Sequence, residues 1–457
     1  MNPDESAGFV LASRDPAAPA PVRVGTQVQG RLDAVLFELT LRQTYRNTSD
    51  RVLEVVYTFP LPVQAVLLGF ASELGGVRQE GVVVAAPAAE QRYESALAEG
   101  DAPVLLEAHA GGLHTANIGN LAPGDEIVLE CRFAQLIAFE QGRLRVSIPT
   151  TVAPRFGDAG RAGLQPQQVP EASLEAEHAL ALTLRIGESL AGAAIECPTH
   201  RVEQGRDADG RLCLTLAPGA MLDRDVVVVV TPREPRPSLQ VRATDPFAPE
   251  APVVRMAALQ LPPAAPRERI AVHLLVDCSG SMAGDSMASA RAALQGVVAG
   301  LGAQDRVGLS RFGSSVEHLS GPMEAALPGL RHLTICIDRL QADLGGTEMA
   351  TALDAVFARL RDEGDEGADV LLLTDGQIWQ ADEMAAAARA GGHRVFAIGV
   401  GTAPAEGVLR ALAEATGGAC EFATPGEALE AAARRMLQRM RQPRLERARI
   451  DWGDEPL

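Results

Sequence analysis

Asp277, Ser279 and Ser281 alternate along the stretch Asp277-Cys278-Ser279-Gly280-Ser281. Alternate side chains of an extended loop turn to one side, so one carboxylate and two hydroxyls can converge there. Two more oxygen donors stand elsewhere in comparable settings: Thr347 follows Gly345-Gly346, and Asp375 lies in Thr374-Asp375-Gly376. Three hydroxyls and two carboxylates form a hard oxygen set carrying at most two negative charges. Such a set suits a divalent cation, Mg²⁺ first, with Mn²⁺ or Ca²⁺ as alternatives. Mg²⁺ takes about six oxygens near ~2.1 Å and gives up its waters reluctantly, so these five donors leave at least one position open. A cation so weakly neutralised stays electrophilic. The natural ligand for the open position is an Asp or Glu carboxylate from a protein partner. The expected metal ligands are therefore Asp277, Ser279, Ser281, Thr347 and Asp375, while Cys278 should point away and pack.

The elements that must hold these residues follow from periodicity. Ile270 to Val276 is an apolar run interrupted only by His273 and ending at Asp277, and the run from Asp369 to Leu373 leads into Asp375. Strands fit near 270–276, 306–312, 368–374, 394–400 and 419–423, and helices near 286–301, 348–361, 381–390, 406–416 and 426–441. Alternating strands and helices imply a doubly wound, Rossmann-like α/β domain over 268–441, its mostly parallel sheet covered on both faces. Ligands of such sheets bind beyond the carboxyl ends of the strands, which is where Asp277 and Asp375 fall.

The N-terminal half has a different rhythm. Residues 36–45 and 126–133 alternate as half-buried strands, and Gly75-Gly76, Gly111-Gly112 and Pro123-Gly124-Asp125 punctuate them as turns. One helix, near 88–98, is closed by Gly100. These features predict a β-sandwich-like domain over 22–156, preceded by a loose arm at 1–21. Residues 151–175 read as a loop. Within 157–267 a second β block (180–186, 211–216, 225–231) should pack with the first, and a Pro-rich extended connection follows from 232 to 266. Residues 442–457 read as a tail or a further strand.

The five oxygen donors, in that order across three loops, resemble the metal-ion-dependent adhesion site of von Willebrand factor A domains. The resemblance covers about 268–441, with Val307 to Gly313 similar to that family's second strand. It implies metal-dependent protein binding, and coupling of the metal to movement of the last helix, here residues 427–441. The N-terminal block resembles the VIT domain of inter-alpha-trypsin inhibitor heavy chains. The matching residues include Gln43-Thr44-Tyr45-Arg46-Asn47, Tyr57-Thr58-Phe59-Pro60-Leu61-Pro62, Tyr93-Glu94-Ser95-Ala96, Leu105-Leu106-Glu107 and Ile118 to Gly124. In the heavy chains a cleaved Asp-Pro bond after the A domain carries a glycan ester. Asp245-Pro246 lies before the A domain here, so glycan attachment is not implied.

Composition removes other readings. The chain has 457 residues, a formal charge of −18 and 41 basic residues, none of them lysine. Without lysine there is no Walker A loop, no Schiff-base chemistry and no lysine general base. The net charge argues against nucleic acid and anionic membranes as partners. No window has the roughly 18 apolar residues of a membrane span. Six scattered cysteines without a CxxC pair suit a reducing compartment, and the N-terminus lacks a basic, apolar leader, so a cytoplasmic location is expected. Gly280-Ser281-Met282-Ala283-Gly284 and Gly308 to Gly313 miss the spacing of a G-x-S-x-G nucleophile elbow. The expected function is therefore a binding module rather than an enzyme. The alternatives are a scaffold subunit whose metal only braces its loops and, behind it, a hydrolase.

Overall fold

The computed structural model describes residues 7–443 except 9, 15–17, 63, 109–112, 141, 149, 153–179, 222–224, 234–237, 245–253, 260–264, 366, 376–380, 401–405 and 424–428. The N-terminal half is built on an eight-stranded sheet. It runs from Val202–Arg206 through Leu212–Leu216, Ala181–Ile186, Val22–Asp33, Leu36–Arg46, Glu126–Leu136 and Val66–Leu74 to Val77–Glu80. A four-stranded sheet joins Val10–Ser13, Leu53–Pro60, Leu113–Leu121 and Val104–Ala108. Another joins Phe139–Glu140, Arg143–Ile148, Val226–Thr231 and Ala194–Glu196. Their inner faces share one apolar core, because period-2 alternation puts every second residue inward. In Leu36–Arg46 those residues are Phe37, Leu39, Leu41, Gln43 and Tyr45.

The second β block is woven into these same sheets. Ala181–Ile186 runs parallel to Val22–Asp33, and Val226–Thr231 pairs antiparallel with Arg143–Ile148. Helix Ala86–Glu99 ends at Gly100, whose φ of 90° lets its N–H reach back to the Ala96 and Leu97 carbonyls.

The C-terminal half is a six-stranded sheet in the order Val316–Glu324, Arg306–Phe312, Ala271–Asp277, Asp369–Thr374, Arg394–Val400, Cys420–Ala423. Every pairing is parallel except that of the edge strand Val316–Glu324. Successive residues of the central strand feed opposite faces. Leu274 and Val276 pack with helices Asp285–Ala299, Leu327–Asp338 and Leu429–Met440. Leu275 packs with Met349–Asp362, Ala381–Ala390 and Glu406–Thr416. The two halves meet where Gln64 donates a hydrogen bond to the Glu414 carboxylate at 3.1 Å.

The structure departs from the sequence expectation in three places. The expected N-terminal arm contributes strands: Val10–Ser13 pairs with Leu53–Pro60, burying Leu11, and Ala7–Gly8 pairs with Thr151–Val152. That second pairing also places two residues of the expected 151–175 loop in a strand. The Pro-rich connection contains a hairpin, Ser238–Ala243 against Val254–Leu259, whose paired residues include no proline. The α/β half contains an unexpected edge strand, Val316–Glu324, and helix, Leu327–Asp338. The C-terminal tail beyond 443, Asp245-Pro246 and most of 151–175 lie outside the described residues.

Candidate metal centre

Asp277 is the last residue of the central strand and is fully buried. Its Oδ1 accepts the backbone N–H of Ser279 at 2.9 Å, and its Oδ2 accepts the Thr374 hydroxyl at 2.6 Å. The chain then turns through Gly280–Met282 into helix Asp285–Ala299. Within that turn the Ser279 and Ser281 hydroxyls lie 3.0 Å apart, and Ser281 donates to Asp375 Oδ1 at 2.8 Å. Asp277, Ser279, Ser281 and Asp375 thus form one connected cluster at the carboxyl edge of the sheet.

Thr347 arrives on the neighbouring loop. The Gly280 N–H donates to the Gly345 carbonyl at 2.9 Å, and the Leu344 N–H donates to the Cys278 carbonyl at 3.0 Å. Gly345 has φ +76°, a conformation that glycine adopts without strain. On the loop's far side, Gly346 N–H donates to Ser314 Oγ at 2.8 Å and Glu348 N–H to the Gly313 carbonyl at 2.9 Å. Thr347, half-buried, stands between these anchors, just before helix Met349–Asp362. The first two loops and a further one at 313–314 are therefore tied together by backbone hydrogen bonds, while the Thr374-Asp375 loop is joined to the first of them by the side-chain bonds of Ser281 and Thr374.

The electrostatics fit a cation. Burial pushes the Asp277 carboxyl above its ordinary range, while its bonds from Ser279 and Thr374 pull it back. Among the described residues no guanidinium pairs with it. A buried carboxylate held only by neutral donors carries a desolvation cost that a nearby cation offsets. Those residues contain no cluster of three or more His, Cys, Asp or Glu, as expected of a set rich in hydroxyls. Cys278 is fully buried with Val276 and Met282, and burial pushes its thiol up to about 12. It packs and supplies no thiolate.

Two residues at this site were not singled out from the sequence. In the sequence Thr374 stands out only as the end of a strand, and Ser314 not at all. The signal for Thr374 was available: it ends the wholly buried strand Asp369–Thr374, where a hydroxyl must find a partner. Ser314 acts through folded geometry and left no local signal.

The N-terminal half has its own buried polar group, made from its motif residues. Gln43 Oε1 accepts the Tyr57 hydroxyl at 2.5 Å and the Tyr45 hydroxyl at 3.1 Å, and its Nε2 donates to Thr26 at 3.1 Å. Tyr57 stacks on Phe59, and Phe59 on Phe70 and His114. Asn47, fully buried, donates to the carbonyls of Arg51 and Leu121. These motif residues cross-link strands of the core.

A carboxylate-hydroxyl site at the carboxyl edge of an α/β sheet, behind a β domain of this kind, defines a two-part protein. Residues 24–133 match the family model of the vault protein inter-alpha-trypsin (VIT) domain, and residues 271–434 that of the von Willebrand factor type A domain. The chain carries both domains, in that order. Among curated proteins it is 23% identical to von Willebrand factor A domain-containing protein 5A of Homo sapiens, over 98% of this chain and 60% of that protein. It is 24% identical to protein mono-ADP-ribosyltransferase PARP4 of Mus musculus, over 89% of this chain and 21% of that one. The chain thus spans less than two thirds of either relative. Among solved structures, a von Willebrand factor type A protein from Catenulispora acidiphila is 21% identical with a TM-score of 0.34, over 41% of this chain and 44% of that one. Proximal thread matrix protein 1 of the mussel byssus, solved with a zinc-occupied adhesion motif, is 17% identical with a TM-score of 0.32, over 39% and 48%. Likenesses of that size carry no residue or ligand across.

Proposed function

We propose that this protein is a metal-dependent protein-interaction module. Asp277, Ser279, Ser281, Thr347 and Asp375 hold a divalent cation, Mg²⁺ in the first place, and an Asp or Glu carboxylate of a protein partner completes its coordination. The bound cation supplies Lewis acidity toward that carboxylate. The protein's own residues hold the donors in place and limit the charge they bring. The observation that carries this reading is Asp277, a fully buried carboxylate met by a backbone N–H and a hydroxyl.

The bracing alternative gains less support. Two of the three donor loops are already joined by the Gly280–Gly345 and Leu344–Cys278 backbone hydrogen bonds, and the third is linked to the first by Ser281–Asp375 and Thr374–Asp277, so bracing by a cation adds less. A hydrolytic role gains none either: Ser310 is fully buried in its strand, its hydroxyl 2.8 Å from a ring nitrogen of His273 and 2.8 Å from one of His318. The test is capture of partners from a lysate on the immobilised protein, with Mg²⁺ or with EDTA. A partner that binds wild type only with Mg²⁺, and does not bind folded Asp277→Ala, fits the proposal. Binding indifferent to chelation and to that substitution overturns it.

A further inference from the structure

We infer that Thr374 is the positioning residue of the metal centre, fixing the Asp277 carboxylate with a neutral donor; this rests on the metal reading above. Thr374 ends strand Asp369–Thr374, whose register sets Leu373 beside Val276, so the next pair along brings Thr374 level with Asp277. Both residues are fully buried. The 2.6 Å separation is that of a hydroxyl bonded to a charged carboxylate. A β-branched side chain has few χ1 choices, and Thr374 is hemmed in between the strands of Asp277 and Gly399, so its hydroxyl is aimed by the backbone. With Ser279 N–H on Oδ1, the bond fixes both the rotamer and the plane of the carboxylate. A carboxylate offers about four lone-pair sites, so these bonds leave room for the cation or its water.

The dipeptide Thr374-Asp375 thereby orients both acids of the site. Thr374 bonds the first acid, and Asp375 is the second, held by Ser281. A hydroxyl is the right donor for this task. It directs the carboxylate without adding a positive charge, whereas a guanidinium in its place would repel the cation.

The experiment titrates Mn²⁺ into the intact chain and its variants, by calorimetry and by the electron paramagnetic resonance of free Mn²⁺. Thr374→Val keeps the shape and removes the donor. It is expected to weaken Mn²⁺ binding by about tenfold or more, the range seen when an outer hydrogen bond to a metal ligand is lost. Thr374→Ser keeps the donor and is expected to restore affinity to within about threefold of wild type, given a hydroxyl-to-carboxylate bond of the same kind. Circular dichroism and thermal melting confirm that each variant is folded. Wild-type affinity in folded Thr374→Val overturns the inference, as does equal weakening in Val and Ser variants, which would make the effect one of packing. Wild type that binds no Mn²⁺ overturns the underlying metal reading instead.

Discussion

Asp277 and Asp369 lie on adjacent strands of one sheet, at opposite edges, and both are fully buried. At the amino edge, Asp369 is met by charge. Arg394 donates to both its oxygens at 2.7 Å, and Arg267 adds another bond. Nearby, Arg441 pairs with Asp305 at 2.5 Å, and Arg306 pairs with Asp365. At the carboxyl edge, Asp277 is met, among the described residues, by the neutral groups of Ser279 and Thr374. The same residue type in the same sheet is thus paired with guanidinium groups at one end and with neutral donors at the other. The amino edge is built for stability. On the function proposed above, the carboxyl edge keeps a carboxylate in reserve for a cation.

The amino edge also holds the last helix. The Met440 carbonyl accepts hydrogen bonds from Arg267 and from Arg394, the latter at 2.8 Å, and Arg394 reaches the Gln442 carbonyl at 3.0 Å. The helix movement implied by resemblance would have to break this clamp. Arg394→Met is therefore the largest single break in the comparison. Removing one partner of a buried ion pair costs about 3–5 kcal/mol because it strands the other, and Arg267 covers only part of the loss. Urea unfolding should show a fall of that order, with faster amide exchange over Leu429–Met440. A loss below about 1 kcal/mol, the scale of an exposed pair, would mean that the amino edge is no better compensated than the carboxyl edge.

His273 lies between the two edges and tests the same logic with a cation. Burial pushes its pKa down to about 3, helped by the neighbouring charges of His318, Arg359 and His393. Its Nε2 contacts Ser310, and Nδ1 has no hydrogen-bond partner. The unfolded chain takes up a proton near pH 6.5 while the folded chain refuses it, so stability falls as pH drops below about 6.5. By pH 5 this group alone should have removed about 2 kcal/mol. His273→Leu should flatten the slope between those pH values in chemical unfolding curves. An unchanged slope would place the acid sensitivity elsewhere, for example at His318, which burial also lowers.

The two edges differed in how far they could be read from sequence. The carboxyl edge was legible because its donors are local: Asp277, Ser279 and Ser281 share one loop, and Asp375 directly follows an apolar run. The amino edge was not. Asp369 and Arg394 are brought together only by direct cross-strand register, which no spacing reports. The parallel strands were legible as largely apolar runs. Val316–Glu324 was hidden because Gly321-Pro322 interrupts it and its pairing is bulged on either side of Leu309. Helix Leu327–Asp338 opens with Pro328-Gly329, which reads as a turn although proline suits a helix's first positions. Val10–Ser13 is four residues long, too short for a pattern to stand out.

The smallest expected change is the one that divides the two readings of Asp277. Asp277→Asn removes a buried charge and keeps the shape. If the carboxylate is held in reserve for a cation, its loss without metal exchanges two charge-assisted bonds for a lower desolvation cost. The unfolding free energy in EDTA should then move by less than about 1 kcal/mol, the net scale of a single hydrogen bond. The difference should appear with metal. At Mg²⁺ a hundredfold above its dissociation constant, wild type should gain about 2.7 kcal/mol, and Asp277→Asn should gain almost none. A variant that loses several kcal/mol in EDTA, as Arg394→Met is expected to, would make Asp277 a structural residue like Asp369. The contrast between the two edges would then reduce to one of composition.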